Sequence, residues 1–235
     1  MKRTLQTILF ALVAIMMPIG AWAEDFVVDG IYYSISSDED KTVEVAFSGE
    51  SYSSVADEYT GEVTIPATVI YEGTTYDVTS IGVSAFRGCT SLTSVTIPEG
   101  VTTIGTLAFQ KCSSLTSITI PESVSVIGNN ALRYCSSLTS IIIPENSQLT
   151  TIGREAFYDC YSLTGITIPS SVTSIGDYAF SCCAFLSTNF INQSDCTDGG
   201  NWGAMLYTDA VEVDGMIIKD NVLVYARGTL TSANI

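Results

Sequence analysis

Seven cysteines, 25 carboxylates and no histidine set the chemistry open to this chain. A thiol becomes a strong nucleophile or metal ligand only as the thiolate, and histidine is the base that most often makes it one. Without histidine there is no Cys-His or Ser-His pair and no His-based zinc site. The cysteines lack C-x-x-C spacing, and no G-x-S-x-G, P-loop or dinucleotide fingerprint occurs. Two carboxylates suffice for glycoside hydrolysis, but the acids are scattered over turns with no cleft implied. The residues point away from catalysis: the chain reads as no enzyme, with no cofactor and no bound metal.

The cysteines mark a period instead. Cys89, Cys112, Cys135, Cys160 and Cys183 follow one another at steps of 23, 23, 25 and 23 residues. Ile-Gly pairs keep the same step at Ile81-Gly82, Ile104-Gly105, Ile127-Gly128, Ile152-Gly153 and Ile175-Gly176. So do Ala85-Phe86, Ala108-Phe109, Ala131-Leu132, Ala156-Phe157 and Ala179-Phe180. The longer step is a two-residue insertion near Asn146-Ser147-Gln148, after a proline, where a loop absorbs it. A fixed period of this length marks stacked units, none of which can bury its apolar face alone.

Each landmark predicts an element. Thr93–Ile97 alternates polar and apolar, which is a half-buried strand with Leu92, Val95 and Ile97 inward. Pro98 ends it, because proline has no N–H for the ladder. Val101 and Ile104 belong to a second, shorter extended stretch. Gly82 is expected to let the chain turn. Ala85, Phe86 and Cys89 suit one turn of helix or 3₁₀. The expected fold is a β-rich repeat solenoid, with one short strand, a second extended stretch and a short helical turn in each 23-residue repeat.

In that register the five column cysteines are small buried hydrophobes, one per layer. Their stacked Cβ vectors run parallel and do not face one another, so free thiols are expected. Cys182 falls in the variable column of Gly88, Lys111, Tyr134 and Asp159, and Cys196 lies beyond the array. These two are the candidates for a disulfide.

Leu115, Ile118, Ile120, Pro121, Val124, Ile127, Gly128, Ala131 and Cys135 together resemble the BspA-like class of leucine-rich repeats. The resemblance covers about 78–187 and implies a leucine-rich-repeat fold. It also implies a bacterial surface or secreted protein, of a class in which some members act as adhesins for host matrix proteins or for other bacteria.

Residues 1–23 read as a signal peptide. Lys2 and Arg3 precede an apolar run from Ile8 to Ile19, and Ala21-Trp22-Ala23 is a cleavage site of the A-x-A type. The run is short for a membrane span, so no span is expected after cleavage, and the product is secreted or displayed at the cell surface. Removing Lys2 and Arg3 leaves seven basic against 25 acidic residues, a net −18. Such a chain does not bind nucleic acid through phosphates. Residues 24–77 read as an N-terminal β cap, with hairpin turns at Asp29-Gly30 and Glu72-Gly73. Residues 78–187 hold five repeats. Residues 188–235 read as a loop, a hairpin and the start of a truncated sixth repeat at Leu230–Ile235.

Three surface features remain. Glu99, Glu122 and Glu145 follow strand-ending prolines and stack into an acidic column. Asp38-Glu39-Asp40 forms an acidic turn without calcium-loop spacing. Ser94, Thr96, Ser117, Thr119, Ser140, Ile142 and Thr167 point outward from successive strands and form a flat, uncharged ladder. That ladder is the candidate partner-binding face of an exported, non-enzymatic adhesion protein, with a protein at a host matrix or cell surface as the expected partner. Two alternatives stand beside it. A carbohydrate-binding module would use Tyr134, Tyr158, Tyr161 and Tyr178 as platforms. The chain could also be the non-catalytic part of a longer secreted protein.

Overall fold

A computed structural model describes residues 25–47, 59–183, 186, 190–194 and 196, and the backbone of strands at 211–213, 216–219 and 222–226. The signal-peptide segment and Leu230–Ile235 lie outside the described residues. The chain opens with a local antiparallel unit. Asp29 and Gly30 take φ of 50° and 81°, the signs that a type I′ turn demands, and fold β1 (Phe26–Val28) onto β2 (Ile31–Ser37). β3 (Thr42–Val45) adds antiparallel to β2. After β4 (Gly61–Thr64), the strand β5 (Thr68–Tyr71) folds back on β6 (Thr74–Ile81) through Glu72 and Gly73. β3 pairs with β6 in parallel, so the sheet changes hand of pairing there.

Beyond β6 each coil contributes two strands. The longer ones are β7 (Leu92–Thr96), β9 (Ser117–Thr119), β11 (Ser140–Ile142) and β13 (Ile166–Ile168). The shorter ones are β8 (Thr103–Ile104), β10 (Val126–Ile127), β12 (Thr151–Ile152) and β14 (Ser174–Ile175). The short strands join β1, β2, β3, β5 and β6 in one nine-stranded sheet. The longer strands form two-stranded ribbons: β4 with β7, β9 with β11, and β13 with β15 (Phe190–Asn192). Continuity is thus the reverse of what strand length suggests. The stretch that leads into Ile-Gly carries the unbroken sheet, because the coils come closest at the glycine. A separate antiparallel meander follows at β16 (Val211–Val213), β17 (Met216–Lys219) and β18 (Val222–Ala226).

The five Ile-Gly glycines act through space rather than through φ. None takes positive φ. A Cβ on Gly105 would lie 2.8 Å from the Ile81 carbonyl oxygen, and one on Gly128 would lie 2.7 Å from the Thr106 nitrogen. On Gly153 it would lie 2.6 Å from the Asn129 nitrogen. Each obstacle is backbone of the preceding coil, which cannot swing aside. The turn expected of Gly82 is therefore a close approach.

The segment after each glycine is a run of hydrogen-bonded turns, not a helix. Its N–H groups alternate in direction. Ala85, Arg87 and Cys89 donate three residues back, to Gly82, Ser84 and Phe86. Ser84, Phe86 and Gly88 donate across to Thr106, Ala108 and Gln110 of the next coil, at 3.0, 2.7 and 2.7 Å. Leu107, Phe109 and Lys111 repeat the crossing to Asn129, Ala131 and Arg133. A helix would spend every N–H on its own coil and leave the layers unlinked. The alternation needs two left-handed positions per coil. Ser84, Leu107, Asn130, Glu155 and Tyr178 hold one at φ of 53–62°, and Gly88, Lys111, Tyr134, Asp159 and Cys182 hold the other at 62–76°.

Apolar side chains fill the interior in rows. Phe86 stacks on Phe109 at 5.0 Å and Phe157 on Phe180 at 5.3 Å, with Leu132 between the pairs. Tyr59 meets Phe86 at 4.6 Å and Phe190 meets Phe180 at 5.4 Å, so each pair also carries a further ring on its outer side. Burying one such ring stabilises by about 1.5–3 kcal/mol. At the insertion, Ser147 turns inward and its Oγ accepts the Leu149 N–H at 3.1 Å, so the extra residues leave Leu149 in its row.

Gly128→Ala should destabilise the fold by about 3 kcal/mol through overpacking against backbone. Gly100→Ala, at φ 102° with nothing within 4 Å of the new Cβ, should cost only about 1 kcal/mol of strain. Urea unfolding of the two variants measures the difference; equal losses would show that conformation, not contact, selects glycine.

Candidate recognition surfaces

The outward ladder lies on the ribbon face. Ser117 is in register with Ser140 and Thr119 with Ile142. Thr64 precedes Thr96, and Ile191 follows Thr167. Backbone bonds from Thr116 to Thr93 and from Thr164 to Thr139 tie the ribbons together at their leading ends. Thr96, Ser117 and Thr119 are exposed; Ser94, Ser140 and Thr167 are half-buried. Ile142 is 55% exposed and Ile191 53%, so the uncharged row carries two open apolar side chains. Among the described residues, the ladder hydroxyls make no hydrogen bond within the protein.

Two neighbouring hydroxyl rows are spent internally. The Thr116, Thr139 and Thr164 hydroxyls donate to the carbonyls of Thr93, Thr116 and Thr139 at 3.4, 3.0 and 3.1 Å. The Thr102, Ser125, Thr150 and Thr173 hydroxyls do the same to Thr79, Thr102, Ser125 and Thr150. Sequence reading passed over both rows. The recurring Val-Thr and Leu-Thr dipeptides were the available signal.

The cysteine column is a row of donors. Cys112, Cys135, Cys160 and Cys183 point Sγ at the carbonyls of Phe86, Phe109, Leu132 and Phe157, at 3.0–3.2 Å. All are free thiols. Burial, and then the neighbouring thiol, holds Cys135, Cys160 and Cys183 well above the ordinary value of 9.0. Cys182 and Cys196, the disulfide candidates, are also free. Cys182 lies against the Tyr158 hydroxyl and the Asp159 carboxylate, whereas Cys196 directs its thiol to the Val172 carbonyl at 3.5 Å. The pair has separate neighbours, so the structure carries no bridge between them.

In the acidic column, the Glu99 carboxylate accepts the N–H groups of Glu122 and Ser123 in the next coil, both at 3.4 Å. That gives the first glutamate a structural partner. In the acidic turn, Asp38 pairs with Lys41 at 2.9 Å and accepts the Tyr76 hydroxyl at 2.8 Å, which lowers its carboxyl below the usual range.

The turn edge gathers three of the four candidate tyrosines. The Arg133 guanidinium lies 4.7 Å from the ring centres of both Tyr134 and Tyr158. Arg133 also pairs with Glu155 at 2.6 Å and donates to Asn130 and the Tyr134 hydroxyl. Arg154 pairs with the other oxygen of Glu155 at 3.1 Å and lies 5.9 Å from the Tyr178 ring. Tyr161 is exposed, outside this cluster of contacts. Tyr134 and Tyr178 both occupy left-handed positions, which costs a bulky residue of order 1–3 kcal/mol each.

The family model of the BspA type leucine-rich repeat region matches six copies over residues 67–195. The chain belongs to the BspA type leucine-rich repeat family. A leucine-rich repeat protein from Bacteroides ovatus is 41% identical over 73% of this chain, with a TM-score of 0.62. The chain spans 42% of that protein's own length. The T. pallidum leucine-rich repeat protein is 28% identical over 70% of each chain, with a TM-score of 0.58. The pneumococcal vaccine antigen PcpA, 18% identical over 86% of this chain and 55% of its own, has a TM-score of 0.52 and shows the fold alone. A search of the curated proteins gives no match. The BspA type assignment accounts for the strand-rich coils and for a repeat of the kind that mediates protein contacts.

Two expectations follow from the thiols. Iodoacetamide at pH 8 should label only Cys182 and Cys196 in the native protein and all seven cysteines after denaturation; labelling of neither in the native state would mean that they are bridged. Burial also pushes fully buried Tyr33 up to about 12. The folded chain therefore holds more protons than the unfolded chain above pH 9. Stability to urea should be flat between about pH 7 and 8, above the carboxylates and below the thiols, and fall as pH rises from 9 toward 12; an unchanged midpoint at pH 10.5 would contradict this.

Proposed function

We propose that this chain is an exported, non-enzymatic adhesion protein that presents its ribbon face to a protein partner at a host matrix or cell surface. The observation that carries the reading is the row of Thr96, Ser117, Thr119, Ile142 and Thr167. It runs across successive ribbons, with Ser117 paired to Ser140 and Thr119 to Ile142, is free of charge, and among the described residues holds hydroxyls that the fold does not use. Rigid rows pay little ordering entropy on binding. A standard protein interface takes roughly 800 Å² from each partner, which suits a face spread over several coils rather than a pocket. The signal-like start supports export, and the family supports a repeat that binds protein.

The purified protein should bind immobilised host matrix proteins. Changing Thr96, Thr119 and Thr167 together to Lys should weaken that binding at least tenfold, because three charges would enter the contact without partners. Undiminished binding would place the contact on another surface.

A further inference from the structure

The ribbon face leaves the opposite chemistry of the turn edge unused. Arg87, Lys111, Arg133 and Arg154 are the only basic residues between 78 and 187, and each falls between an Ile-Gly pair and the column cysteine. Tyr134, Tyr158 and Tyr178 fall in the same segments. In a chain of net −16 this is a marked separation of cation and ring onto one edge.

The arginines differ in what they have left to offer. Arg133 has both terminal nitrogens engaged, by Glu155, Asn130 and Tyr134, and is flanked by two rings, while its buried Nε has no partner among the described residues. Arg154 is open. Its side chain is 61% exposed, among the described residues only Nη2 is paired, and Tyr178 beside it is 46% exposed. Glu155, only 13% exposed, takes both guanidinium groups and fixes their spacing. Tyr178 also holds a left-handed position that glycine adopts without strain, at φ 59°. Ser84, Leu107, Asn130 and Glu155 hold the same position in the other coils, so the fold sets the backbone there and leaves the choice of side chain open.

We propose that Arg154 and Tyr178, backed by the Arg133–Tyr134–Tyr158 sandwich, form a subsite for a sugar that carries a single carboxylate, as in a uronate-containing glycan. The C–H face of the sugar ring lies on Tyr178. The carboxylate takes the free edge of the Arg154 guanidinium, whose planar fork matches it. Exposed Asp177 stands next in the chain to accept sugar hydroxyls. Polar groups border the cluster: the Asn129 side chain accepts the Arg154 N–H at 2.8 Å and Asn130 accepts from Arg133 at 3.2 Å. The overall negative charge repels a densely sulfated chain. It is screened within about 8 Å at physiological salt, which leaves Arg133 and Arg154 facing Glu155 and exposed Asp177 at the subsite.

This subsite is independent of the ribbon face, and the test keeps the two apart. Calorimetric titration of the purified protein with a hyaluronan hexasaccharide, alternating uronate and N-acetylglucosamine, is compared with neutral chitohexaose. The uronate oligosaccharide should bind at least tenfold more tightly. Arg154→Gln and Tyr178→Gly should each weaken it tenfold or more, while Thr119→Lys leaves it unchanged. Tyr178→Gly should keep or raise the melting temperature, so its loss of binding is not a loss of fold. Absence of uronate binding, equal binding of the neutral chain, or full binding by both edge variants would overturn the proposal.

Discussion

The structure depends on how closely one coil can lie on the next at the Ile-Gly column. Nothing larger than hydrogen fits on the inner side of Gly105, Gly128 or Gly153 without meeting backbone. That contact sets the layer spacing at which Ile81, Ile104 and Ile127 pair as strands and at which Phe86, Phe109 and Phe157 donate N–H groups to the coil beyond. A methyl group here would push two layers apart and weaken both sets of bonds together. The apolar rows supply most of the free energy, and the glycines decide whether the rows can meet.

Once the spacing is set, the turn chemistry follows. Alternate N–H groups cross between layers only if alternate residues leave the right-handed region, so each coil carries two left-handed positions. Glycine appears there once, at Gly88. Elsewhere the chain accepts strain from Leu107, Lys111, Tyr134, Glu155 and Tyr178. Those side chains are projected along one edge and form its aromatic and charged surface. The ribbon face is the reverse case: its residues are unstrained, good strand formers, and chemically plain. One array thus carries a flat hydroxyl face and a strained aromatic edge.

The period, the inward rows, the hairpins and the outward ladder were legible because each is written as a repeating residue type. Phe86 through Phe180 could hardly be anything but core, and Asp29-Gly30 is a turn in almost any context. Four matters were not legible. Ile-Gly reads equally as a turn or as a close approach, since glycine serves both. Ala85–Cys89 reads as a helical turn because i→i+3 spacing is common to helices and to these alternating turns; only the neighbouring coil shows where the remaining N–H groups go. The pairing of Arg133 and Arg154 with Glu155 joins adjacent layers at a 22-residue separation in one case and chain neighbours in the other, so no local pattern announces it. Cys182 and Cys196 looked like partners because both stood outside the ladder, yet exclusion from a row says nothing about proximity.

Amide hydrogen exchange tests the layered arrangement most directly. The N–H groups of Phe86, Phe109, Leu132 and Phe157 cross between coils, and they should exchange only through a shared opening, with a common free energy close to that of global unfolding. Exchange of these four amides at the rates of an unstructured peptide, or each at an unrelated rate, would show that the coils are not joined and would remove the basis for both surfaces.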